Sequence, residues 1–369
     1  MYQQIRFADK SRSAFFATVK KRVEDYFIKN NISKHANAEM IFKTLLFLGG
    51  FIASYLLLLL GNFSTPVMLL LAVTIGVLGA LIGFNVCHDA IHGSYSSNFY
   101  VNKTLSMVFN IIGANPYVWS ISHNIVHHTY TNIAGHDEDI EVAPGLIRLS
   151  TEDKLTPIQR YQHLYAFLLY GLASVSWVFR KDFKKFFQEK IGNHKNRHPK
   201  MEYFNLFFYK GIYYLLFIGL PLWLMPISFG GWLVGFLLMH LAQGLVLGLV
   251  FQLAHVVEGT AFPLPNEEGN IEEAWAEHQL RTTANFARNS RLANFLCGGL
   301  NMQIEHHLFP KICHVHYRAI SDIVQQTAQE FQLPYIENKT FGSALQSHYR
   351  MLRKLGAEEW QAKSRLAVA

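Results

Sequence analysis

"TLLFLGGFIASYLLLLLGNFSTPVMLLLAVTIGVLGALIGFNVC", residues 44–87, contains no Asp, Glu, Lys or Arg. It is about twice the roughly 20 apolar residues that a helix needs to cross a bilayer. The turn formers of "GNFSTP" (61–66) interrupt it, which predicts one hairpin of spans near 41–60 and 66–87. A second uncharged run, Gly211 to Val257, repeats the layout, with "MPISFGG" (225–231) dividing spans near 206–224 and 231–255. Only 16% of the chain is charged, against roughly a quarter in a soluble domain. The expected fold is an all-α integral membrane protein with four transmembrane helices in two hairpins.

Charge outside the runs orients them. Nine Lys or Arg precede Thr44, and "RKDFKK" (180–185) and "KNRHPK" (195–200) lie between the hairpins. Positive charge marks the cytosolic side, so the termini and the long connection belong there. The expected organisation is a basic cytosolic segment over 1–40, a first hairpin over 41–87 and a cytosolic connection over 88–205. A second hairpin over 206–255 and a cytosolic C-terminal region over 256–369 complete it. The net charge of +7 suits a face resting on anionic headgroups, and no motif points to nucleic acid. Residues 1–40 lack the apolar core of a signal peptide. Cys87, Cys297 and Cys313 have unrelated spacings, which argues against a disulfide framework.

The 18 histidines are clustered. "HDAIH" holds His88 and His92, "HNIVHH" holds His123, His127 and His128, and "QIEHH" holds Gln303, His306 and His307. Residues four apart share a helix face, so His88/His92 and His123/His127 can each aim two rings at one point. Gln303 can share a face with His306 and His307. With the N-terminus inside, the second and fourth spans both emerge on the cytosolic face, at His88 and His255. Gly79/Gly83 and Gly244/Gly248 form G-x-x-x-G patterns that favour close approach of those spans. Eight such histidines exceed the four ligands of one structural zinc and suit two metals in a cytosolic helical cap. Imidazole accepts Zn, Cu, Fe or Ni, so ligand type leaves the metal open. Asp89 and Glu305, inside the boxes, are candidates to orient the rings; Asp137 and Asp139 are weaker ones.

The three boxes resemble those of the membrane fatty-acid desaturase family in order, spacing and placement after the hairpins. The likeness runs from about residue 40 to 320. Gln303 resembles the opening of the third box in front-end acyl desaturases, a group that includes linoleoyl-CoA desaturase-like enzymes. The resemblance implies two non-haem Fe ions using O2 and two electrons to place a cis double bond in a fatty acyl chain, as acyl-CoA or acyl-lipid. It implies His88, His92, His123, His127, His128, His306 and His307 as ligands, with His255 matching a further family histidine. Gln303 stands where other desaturases have histidine, which implies a weak or water-mediated ligand. Many front-end enzymes carry a fused cytochrome b5 with a His-Pro-Gly-Gly motif. Residues 1–40 contain only His35, so a separate donor is expected: ferredoxin, or cytochrome b5 with its reductase. A sphingolipid desaturase, or a lipid hydroxylase or ketolase using the same centre, is the alternative. A metal transporter would need polar residues through the bilayer, which the spans lack. A bacterial inner membrane and the endoplasmic reticulum fit equally.

Elsewhere, His240 inside the fourth span reads as a helix–helix hydrogen bond, and His194 and His198 as solvated. His136, His278, His314 and His316 lie near site segments. "WAEHQLRTTANF" (275–286) could support the metals or line the acyl path. Trp119 and Trp275 are candidate channel walls beside membrane lipid.

Overall fold

The computed structural model describes residues 5–7, 14–151 and 153–366, and the chain is mostly helical. Four helices are long and apolar enough to cross a membrane: Ala38–Leu60, Thr65–His92, Lys200–Leu224 and Phe229–His255, here spans one to four. A helix satisfies its backbone internally, which lipid requires. Leu45, Leu60 and Leu70 remain largely exposed on the bundle, as lipid-facing residues should.

Spans two and three are longer than the charge pattern suggests. Span two passes through a wide π turn, Gly83–Cys87, and continues as helix to His92. It stops at Gly93, whose positive φ of 73° caps the helix. Span three starts at Lys200 rather than near 206, and Lys210 lies well inside it. That ammonium is buried, donating to Asp182 at 2.8 Å and to the Gly113 and Trp177 carbonyls at 2.9 Å. A fully paired charge can sit inside an apolar helix, and no count of charges foresees the pairing.

The glycines do bring spans two and four together, though not by the expected pairing. The closest approach is at Gly76, where a Cβ would collide with the Met239 carbonyl, and Gly79 faces the Gln243 side chain. Gly244 and Gly248 instead admit Gly171 and Tyr170 of the helix Gln162–Gly171. Gly76→Ala should cost about 1–3 kcal/mol through overpacking, read as a lower melting temperature in detergent; an unchanged one would refute this contact.

Amphipathic helices cover the end of the bundle. Ala14–Asn30 lays Phe15, Val19, Val23 and Phe27, spaced by four, into a core with Ile320 and Val324 of the helix Tyr317–Glu330. Strand structure among the described residues is limited to three two-residue pairings, such as Asn285–Phe286 with Glu337–Asn338.

Candidate metal centre

Four separate pieces of chain bring the histidines together. The last turn of span two carries His88 and His92, and the C-terminus of span four carries His255. A π turn, Ile121–His127, carries His123 and His127, with His128 immediately after it. A buried short helix, Gln303–Leu308, carries His306 and His307, its backbone tied to Asn285 Oδ1 by Ile304 N at 3.0 Å. None of the eight rings is more than 9% exposed.

The rings form two groups. His88, His92, His123 and His306 bring ligand nitrogens within 4.8 Å of one another, and so do His127, His255 and His307. His128 lies between the groups, its ring centroid 4.7 Å from His306 and 4.4 Å from His307. The equal spacing of the first two boxes hides a difference. His88 and His92 converge on one group, whereas His123 and His127 stack in parallel 5.0 Å apart and serve one group each. Their turn is wider than an α turn, as π turns at functional sites often are. Adjacent His306 and His307 also diverge, with ring planes at 89°.

Gln303 joins the second group. Its amide nitrogen lies 2.8 Å from His255 Nε2 and 3.3 Å from His307 Nε2. Its buried carbonyl oxygen has no partner among the described residues, and amide N and O are interchangeable by a flip. Turned over, that oxygen would be a fourth donor beside three imidazoles.

Unsatisfied atoms test whether this cage suits metal. Buried without a hydrogen-bond partner among the described residues are both ring nitrogens of His88 and His128, Nδ1 of His255, and Nε2 of His92, His123, His127 and His306. Folded proteins rarely leave buried polar atoms orphaned, and so many in one place fit a cation site. The opposite nitrogens are held. His123 Nδ1 donates to Asp139 at 3.2 Å, His127 Nδ1 to Asp137 at 2.8 Å, and His307 Nδ1 to Gln279 Oε1 at 2.7 Å. His306 Nδ1 pairs with the Tyr317 hydroxyl at 3.2 Å. A proton fixed on Nδ1 leaves the Nε2 lone pair free to ligate.

Electrostatics agree. Burial pushes the His123 pKa down to about 3, and burial with neighbouring imidazoles holds His128, His306 and His307 well below their usual value. The rings are neutral, as ligation requires. Burial opposes ionisation of Asp139, but Lys185 and His123 outweigh it and keep the carboxylate charged.

The carboxylates inside the boxes point elsewhere. Asp89 accepts from His314 Nδ1 at 2.9 Å and lies 3.7 Å from His88 Nδ1. His314 Nε2 in turn accepts from the buried Lys43 ammonium at 2.7 Å. Glu305 accepts from Asn285 and Tyr335, each at 2.8 Å, and burial pushes its pKa up to about 7.

Trp119 stacks on His123 at 4.0 Å and, with Phe84, Phe109, Leu247 and Phe251, lines an apolar cavity ending at His88 and His123. Trp275 lies away from that cavity, donating to the His128 carbonyl at 2.8 Å and bordering a cleft beside His92 and Lys311. His240 bridges helices, bonded to Ser174 and Tyr213 at 2.9 Å. His198 is packed rather than solvated, stacking on Phe186 at 4.0 Å. His278 and His316 bond the carbonyls of Thr131 and His35. Sequence reading singled out neither Gln279 nor Asn132. Gln279 lay within the flagged 275–286 segment. Asn132, at φ 57°, ties the His255 and Thr282 carbonyls together and donates its N–H to Asp137; nothing local marks it.

The profile of the family described as fatty acid desaturase matches residues 64–339. An acyl-lipid (8-3)-desaturase from Physcomitrium patens is 36% identical over 97% of this chain and 75% of its own length. An sn-1 linoleoyl-lipid 6-desaturase from Synechocystis is 36% identical over 96% of this chain and 98% of its own. An acyl-lipid (8-3)-desaturase from Mortierella alpina is 33% identical over 93% of this chain and 78% of its own. The profile takes in spans two to four and every histidine box, and on it this membrane-spanning chain belongs to the fatty acid desaturase family.

Proposed function

We propose that the chain is a front-end acyl-lipid desaturase whose eight clustered histidines hold two iron ions. His88, His92, His123 and His306 take one, His127, His255 and His307 the other with Gln303 as a fourth donor, and His128 lies where it can serve either. The observation that carries this is the set of orphaned, buried imidazole nitrogens in two groups at the end of an apolar cavity. Bound there, the metal pair supplies the dioxygen chemistry that no side chain can supply.

The protein's own work is positioning. Asp137, Asp139, Gln279 and Tyr317 hold the ring nitrogens that face away from the metals. Trp119 braces His123 and offers a flat wall to an acyl chain. The apolar lining keeps water from the reacting carbons, and relatives named as acyl-lipid desaturases favour a lipid-linked chain. The cage faces the cytosol, where basic segments suit an acidic donor, ferredoxin or cytochrome b5 with its reductase.

Expression in a host with a simple fatty-acid profile, supplied with linoleate, tests this. Extracted lipids should contain a product lighter by two hydrogens, with the new double bond on the carboxyl side of the existing ones. A product heavier by one oxygen would overturn the desaturase reading.

A further inference from the structure

The connection between the hairpins contains a part-buried lysine that lines the apolar cavity and makes no hydrogen bond among the described residues. Trp177–Lys181 is a π turn, and both of its end residues line the apolar cavity that reaches His88 and His123. The Lys181 ammonium lies 5.8 Å from the Trp177 ring centroid. Among the described residues it makes neither a hydrogen bond nor an ion pair.

The obvious counterion is already used. Asp139 lines the same cavity, but its Oδ1 accepts from Lys185 at 2.8 Å and its Oδ2 from His123 at 3.2 Å. Two lysines share one carboxylate, and Lys185 holds it. Burial, then Lys185, lowers the Lys181 pKa to about 8, so the group is still mostly a cation at neutral pH. Lys181 is part-buried, so its ammonium keeps some contact with water while facing an apolar wall that accepts none of its hydrogen bonds.

From this we infer that Lys181 binds the carbonyl oxygen at the head of the acyl chain. The ammonium is an unengaged, charged donor in the cavity wall, and most of the remaining lining suits methylenes. A carbonyl anchored at Lys181 determines which carbon lies opposite the imidazole cage. Position is thereby counted from the carboxyl end rather than from the methyl end. The inference rests on the acyl-desaturase reading and adds the element that sets register along the chain.

The carbonyl could belong to a glycerolipid ester or a coenzyme A thioester, and a binding experiment separates them. Full-length protein is titrated with three ligands of equal chain length: the ester-linked glycerolipid, its ether-linked counterpart without the carbonyl, and the acyl thioester. The wild type should bind its preferred carbonyl ligand about tenfold more tightly than the ether, as one charge-assisted hydrogen bond allows. Lys181→Met should abolish that preference and leave ether binding unchanged. Lys181→Gln, a neutral donor, should keep part of it, and decides the matter if the Met variant fails to fold. Product analysis should show double-bond positions spreading over neighbouring carbons in whichever variant folds.

An undiminished carbonyl preference without the lysine would overturn the inference while leaving desaturation intact. If the wild type bound none of the three ligands, the desaturase reading itself would fall.

Discussion

Chains carrying His306→Ala or His307→Ala are expected to form no detectable product, and each to retain about one of the two metal ions proposed for the wild type. The neighbours in sequence serve different groups: His306 lies 4.4 Å from the His88 ring, and His307 5.1 Å from the His255 ring. Removing either withdraws an imidazole from one group while the other keeps its full set. A loss of at least about a thousandfold, roughly 4 kcal/mol of barrier, follows if both metals are needed. Folding should survive, because alanine also removes a ring nitrogen buried in a polar cluster. Metal content by elemental analysis, alongside lipid products, checks both halves. If either variant kept two ions, or made product at a wild-type rate, the division of the boxes between two groups would be wrong.

That division is where sequence reading stopped. The four spans were legible because lipid excludes unpaired charge, so a long uncharged run broken by turn residues reads directly as a hairpin. Lys210 shows the limit: the span near 206–224 already contains it, yet nothing in the sequence gives the Asp182 partner that lets a charge lie there. The histidines stood out by clustering, and all eight rings do meet. Which ring faces which group depends on backbone that spacing cannot report. His88/His92 and His123/His127 have the same interval, yet one pair lies on an α turn and converges while the other lies on a π turn and separates.

The groups that hold the rings depend on the chain path in a related way. Asp89 and Glu305 drew attention by lying inside the boxes, where the helix turns them towards His314 and Tyr335. Asp137 and Asp139 reach the rings because the chain doubles back after the second box. It does so at Asn132 and Gly135, both with positive φ. Asn132 tolerates that conformation better than most residues, and its side chain pins the reversal to span four's end. Gln279 reaches His307 from a helix beyond span four, a contact with no local trace.

Asp137→Asn and Asp139→Asn should separate metal binding from folding. Both residues accept a hydrogen bond from a ring in the proposed ligand set, at 2.8 and 3.2 Å, and both bring negative charge beside those neutral rings. Neutralising such a partner commonly weakens metal affinity 10–100-fold, and each variant should show a loss of about that size in competition with a chelator. Stability should differ between them. In Asp137→Asn the amide oxygen would still accept from the backbone of Asn132, as the carboxylate does now at 2.9 Å, but the amide nitrogen would face the Asp139 N–H that Oδ1 now accepts at 3.1 Å, a cost of about 1–3 kcal/mol. Asp139 also pairs with the buried Lys185 at 2.8 Å. Its replacement strands that ammonium at a cost of about 3–5 kcal/mol. Adding Lys185→Met to Asp139→Asn should then restore much of the stability and none of the metal affinity. Wild-type affinity in Asp137→Asn would refute the orienting role; recovery of affinity in the double variant would show that Asp139 acts on the fold alone.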